Sequence, residues 1–83
     1  MSRREKLLAR LRTYPKDFEW SELETLLKSF GYVVVKKSGG SRRKFVGEDL
    51  PLISLHEPHP DKVVKSVYLK QVVEVLLESG IIK

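Results

Sequence analysis

Two histidines, His56 and His59, are the only side chains of this 83-residue chain whose ordinary titration falls near neutral pH. They stand three residues apart in Leu55-His56-Glu57-Pro58-His59-Pro60, where the flanking prolines hold His59 in an extended, low-entropy segment. Such a segment suits presenting an imidazole for proton transfer, and it suits a plain connection between two elements equally well. A metal would need one or two further ligands, with Glu57 and Asp61 the nearest carboxylates, so this spacing points to no metal site and no cofactor. Cysteine is absent, which removes thiolate nucleophiles, thiolate metal sites and a disulfide framework. The other chemistry is cationic. Lys36, Lys37, Arg42, Arg43 and Lys44 flank Ser38-Gly39-Gly40-Ser41, a loop that lacks the lysine and helix start of a phosphate-cradling P-loop. No nucleophile-elbow pattern occurs either.

The charge is segregated along the chain. The formal total is +5, but residues 1–16 carry +5, 17–35 carry −3, 36–47 carry +5, 48–60 carry −3 and 61–83 carry +1. Two concentrated basic stretches are an electrostatic footprint for a polyanion, because neutralising phosphates releases counterions. They are also what a solvated face or a dock for an acidic protein would show. No apolar run approaches the length of a membrane span and the N-terminus lacks a signal-peptide apolar core, so a cytoplasmic protein with no membrane partner is expected. At 83 residues there is room for a single domain, with residues 1–15 as a helical N-terminal extension and residues 18–82 as the core unit.

The elements that must position these groups follow from periodicity. Residues 3–12 are strong helix formers with Leu7, Leu8 and Leu11 on one side, ended by Tyr14-Pro15. Ser21-Glu22-Leu23-Glu24 has the form of a capping box, so a second helix is predicted to begin there. Its stripe of Leu23, Leu26, Leu27 and Phe30 ends at Gly31. Tyr32–Lys36 is a β-branched strand, Ser38–Ser41 a turn, and Arg42–Val46 a return strand with Arg43 and Phe45 on one face and Arg42, Lys44 and Val46 on the other. Leu50–Leu55 is a third strand, delayed by Pro51, and Leu69, Val72, Val73, Leu76 and Leu77 make a last helix closed by Gly80. Helix, helix, three strands, helix is an α+β two-layer unit, α-β-β-β-α with an extra N-terminal helix, and the helices should cover one sheet face and leave the other open. Trp20 reads as core, Tyr32 and Tyr68 as rim or base-stacking residues. The first helix either packs on the second through Leu7 and Leu11 or acts as a basic arm.

Phe30-Gly31-Tyr32, the strand Val33–Lys37, Gly39-Gly40-Ser41 before a basic strand reaching Phe45, Pro58-His59-Pro60 and Leu77-Glu78-Ser79-Gly80-Ile81 together resemble the HicA toxins of HicA–HicB toxin–antitoxin systems. The resemblance covers residues 18–82. It implies a double-stranded-RNA-binding-domain-like fold with a three-stranded antiparallel sheet, cleavage of mRNA without a metal, and restraint by a HicB-like antitoxin. It also implies that Lys36, Lys37, Ser41, Arg42, Arg43 and Lys44 hold RNA. Many members carry a catalytic histidine directly after the hairpin Gly-Ser, where this chain has Arg42. An arginine stays protonated and is a poor general base, but it can hold a phosphate and stabilise phosphorane charge. The base would then be His59 or His56, acting with Arg42. Two other readings stand beside an endonuclease: an RNA-binding module without turnover, favoured by the missing hairpin histidine, and an interaction domain that docks an acidic partner.

Overall fold

The computed structural model describes residues 2–36, 42–58 and 60–83. Lys37, the Ser38–Ser41 turn and His59 lie outside the described residues. The elements run α1 (Arg3–Leu11), α2 (Trp20–Ser29), β1 (Val33–Lys36), β2 (Arg42–Val46), β3 (Ile53–His56) and α3 (Ser66–Glu78). The sheet is antiparallel throughout, in the order β1-β2-β3. This is the expected α+β architecture with the extra helix in front.

Period-two alternation along the strands decides which side is core. Phe45, Ile53 and Leu55 are buried with Leu23, Leu26 and Leu27 of α2 and Leu69, Val72, Val73 and Leu76 of α3 in one hydrophobic cluster. The helices therefore cover one sheet face. Trp20 belongs to the same core, its ring centroid 5.5 Å from that of Phe45. Tyr32 is buried too, and its hydroxyl donates to the Pro51 carbonyl at 2.8 Å, tying the start of β1 to the segment before β3. Pro51 does delay the third strand, which begins only at Ile53.

Helix α2 starts earlier than Ser21, and the capping box is not the expected one. Glu19 is the N-cap, and the Glu22 carboxylate accepts from its amide at 3.0 Å. Ser21 and Glu24 share the pattern but lose. The helix start is fixed from outside, where the Trp20 amide donates to the Lys62 carbonyl at 2.8 Å, and from within, where Glu24 accepts from the Trp20 indole N–H. The C-terminus ends as the sequence requires: Gly31 has φ +104°, the Gly31 amide donates to Lys28 and the Tyr32 amide to Leu27, which is a Schellman motif. Gly47, between β2 and β3, permits a second close approach. A Cβ there would lie 2.4 Å from Leu50 Cδ1 and 2.9 Å from the Gly31 carbonyl oxygen.

Helix α1 packs on α2 and is not a free arm. Leu7 and Leu11 are buried in the common core, Ser2 caps the first turn, and three arginines fasten the outside. Arg4 donates to Ser29 Oγ at 3.1 Å and lies over the Phe30 ring; Arg10 binds Asp17 at 3.1 Å and also Glu22; Arg12 donates to the Lys83 carbonyl. No helix among the described residues is long and apolar enough to cross a membrane.

Candidate nucleic-acid interface

The sheet face opposite the helices is built by the residues that alternation turns away from the core. The antiparallel registers align Val33 with Val46, Val35 with Lys44 and Ser54, and Arg42 with His56. Arg42 and His56 are therefore directly opposed across β2 and β3 and share the open face, both exposed. That juxtaposition joins the one arginine at the hairpin position to one of the two imidazoles. Directly opposed residues in an antiparallel pair have Cβ atoms about 4.5–5.5 Å apart, so one phosphodiester group can bridge the two side chains. Beside them the open face is apolar: Val33 is 61% exposed and Val35 40%.

The pleat divides the hairpin cations. Arg42 and Lys44 lie on the open face, whereas Arg43 stands in register with Lys36 and Leu55 on the helix-covered side. Arg43 is mostly covered; its Nε lies 3.0 Å from Glu57 Oε1 and its Nη1 donates to the Arg42 carbonyl at 3.1 Å. It fastens the segment after β3 to the middle strand. Lys36, at the end of β1, is exposed at the rim. Lys37, Ser41 and His59 are outside the described residues.

A cleft of about 490 Å³ opens where β3 leads into α3, and Lys16, His56, Glu57, Asp61, Lys65 and Tyr68 are among its lining residues. Its walls come from distant parts of the chain held by a short backbone clasp. Glu19 and Val63 form an isolated antiparallel bridge, flanked by hydrogen bonds of 2.8 Å from Val64 N–H to Phe18 and from Trp20 N–H to Lys62. Sequence reasoning missed this cleft, because a single bridge between two loops leaves no periodic signal. Among the described residues no three of His, Asp and Glu gather into a set able to ligate a metal ion.

No curated protein and no solved structure matches the chain. The family model described as HicA toxin of bacterial toxin-antitoxin does match, over residues 20–81. Those bounds run from the first residue of α2, past the hairpin and the Arg42–His56 pair, to the residue after Gly80. With this match spanning the α2-β1-β2-β3-α3 unit and its open face, the chain belongs to the HicA family, the toxins of toxin–antitoxin systems.

Proposed function

We propose that the protein is an mRNA endonuclease that works without a metal and is neutralised by a HicB-like antitoxin. The observation that carries the reading is the Arg42–His56 pair on the open face of a HicA-family sheet. In this scheme the unprotonated His56 imidazole takes the proton of a ribose 2′-hydroxyl, and the freed oxygen attacks the adjacent phosphorus. Arg42 donates in parallel to the non-bridging oxygens and stabilises the charge of the phosphorane. The bond from phosphorus to the 5′-oxygen breaks, the leaving oxygen takes a proton from the second imidazole, His59, or from water, and the products are a 2′,3′-cyclic phosphate and a 5′-hydroxyl. Lys44 and Lys36, together with Lys37 and Ser41, hold neighbouring phosphates. Arg43 contributes by keeping Glu57 against the middle strand. The antitoxin covers the open face, where exposed valines adjoin the cations and offer apolar area to a protein partner that RNA alone does not need.

The test is cleavage of labelled mRNA in EDTA by the wild-type protein and by His56→Ala and His59→Ala. Loss of cleavage with retained binding in His56→Ala supports the base assignment; cleavage at the wild-type rate removes His56 from the mechanism. A second reading, RNA binding without turnover, is favoured by arginine standing where many family members have histidine. It requires that wild type leave the RNA intact and that Arg42→His create cleavage.

A further inference from the structure

We propose that the cleft between β3 and α3 is a nucleotide subsite, in which Lys16 and Lys65 bind the phosphate of the nucleotide next to the scissile linkage and Tyr68 lies against its base. The proposal rests on the RNA-cleaving reading above and extends it to a surface that the open sheet face does not include.

The argument begins with where Lys16 comes from. It precedes the family match, which starts at residue 20, yet it lines the same cleft as His56. Three features carry its backbone there. Helix α1 is anchored on α2 by Leu7 and Leu11. The chain then turns at Tyr14, which has φ +51°, and the Tyr14 carbonyl accepts from Ser66 Oγ at 3.4 Å, at the start of α3. The clasp of Phe18 to Val64 and Trp20 to Lys62 closes the other side. The extension thus builds one wall of the cleft as well as covering α2.

The chemistry of the lining selects a phosphate carried by a planar, partly apolar group. Lys16 and Lys65 are exposed, and among the described residues neither is paired with a carboxylate. Of the two acids in the wall, Glu57 is held by Arg43 at 3.0 Å, which leaves Asp61 as the one carboxylate that opposes an anion. Tyr68 is half-buried and offers a ring of the kind on which bases stack. A volume of about 490 Å³ is in the range of small-ligand sites and accommodates a single nucleotide. Because His56 belongs to both the cleft and the Arg42 pair, a strand laid across the open face reaches the cleft at the next nucleotide.

The experiment measures binding of the full chain to a fluorescein-labelled, 2′-O-methylated single-stranded RNA, which lacks the attacking hydroxyl, over a range of salt concentrations. The Lys16→Gln/Lys65→Gln double variant should weaken binding by about tenfold and lower the salt slope by about one per lysine. Asp61→Asn should tighten binding severalfold, a direction that a folding defect does not produce. If Arg42→Ala weakens binding while the double variant and Asp61→Asn both match wild type, the RNA reading stands and the subsite is overturned. If wild-type binding is flat in salt, the RNA reading itself falls and the subsite falls with it.

Discussion

Residues 1–16 and residues 36–47 each carry a net charge of +5, and the fold uses the two in opposite ways. In the first segment Arg4, Arg10 and Arg12 point into the molecule's own polar groups: a serine, a pair of carboxylates and the last backbone carbonyl. In the second, Arg42 and Lys44 stand on a sheet face that no helix covers, while Arg43 is turned the other way, to Glu57. Charge density does not separate the two cases. A helix laid on a neighbour finds carboxylates and carbonyls within reach of its long side chains, whereas alternate residues of a strand are held off the core by the pleat. Arg3, Lys6 and Lys16 are exposed cations of the first segment outside these contacts, and of the three Lys16 lines the cleft.

The sharpest way to break the comparison is to remove one cation from the open face. Arg42→Ala should lower cleavage by about 10²–10³-fold, the usual loss of a preorganised donor to a developing oxyanion, with the melting temperature unchanged. Unaltered cleavage in single-turnover assays would show that the hairpin arginine is as structural as those of α1. The converse experiment is Leu11→Ala, in a side chain that is fully buried. It should cost about 3 kcal/mol in urea unfolding and leave the salt slope of RNA binding to the remaining folded protein untouched.

How much of this was legible in the sequence depended on whether a feature is periodic. The apolar stripe of α2, that of α3 apart from Leu77, which is exposed, the alternation that sets Arg43 beside Phe45, and the glycine after Phe30 each carry local information and appear in the structure. The register that opposes Arg42 to His56 does not. It depends on how many residues the turn through Gly47 and Asp49 consumes, with Asp49 at φ +60° and Leu50 packed beneath Gly47. The start of α2 differs from the expected Ser21 for a related reason: both Glu19-x-x-Glu22 and Ser21-x-x-Glu24 can close a box, and a backbone bond from Trp20 to Lys62, far away in sequence, selects the first. The fold implied that Arg43 is covered, yet its use as an anchor follows only from Glu57 lying beside it.

Alkaline pH sharpens the contrast between the arginine clamps and a buried neutral group. Burial pushes the Tyr32 hydroxyl above the usual 10.0. Below pH 10 the phenol is neutral in both states and its stabilising contribution is complete. As pH rises through 10 the unfolded chain releases this proton while the folded one still holds it, so stability falls until the raised value is passed. Arginines keep their charge over this range, so the α1 clamps persist. Tyr32→Phe should abolish this part of the alkaline decline and, by leaving the Pro51 carbonyl without its donor, cost about 1 kcal/mol at neutral pH, both read from urea unfolding across a pH series.

The smallest expected effect belongs to the clamps themselves. Arg10 binds Asp17 and Glu22 and lies 5.2 Å over the Phe18 ring, but its side chain is 38% exposed, so solvent screens much of the attraction. Arg10→Ala should therefore cost no more than about 1 kcal/mol, part of it from lost packing on Phe18, and the deficit should shrink only partly in high salt because the ring contact is less sensitive to ions. Arg10→Lys keeps the charge but loses the fork that reaches two carboxylates, and should fall between wild type and alanine. If instead Arg10→Ala left stability unchanged and weakened RNA binding with a reduced salt slope, the cations of α1 would be part of the interface, and the division of labour between the two basic segments would fail at the helix whose arginines are fastened to the fold.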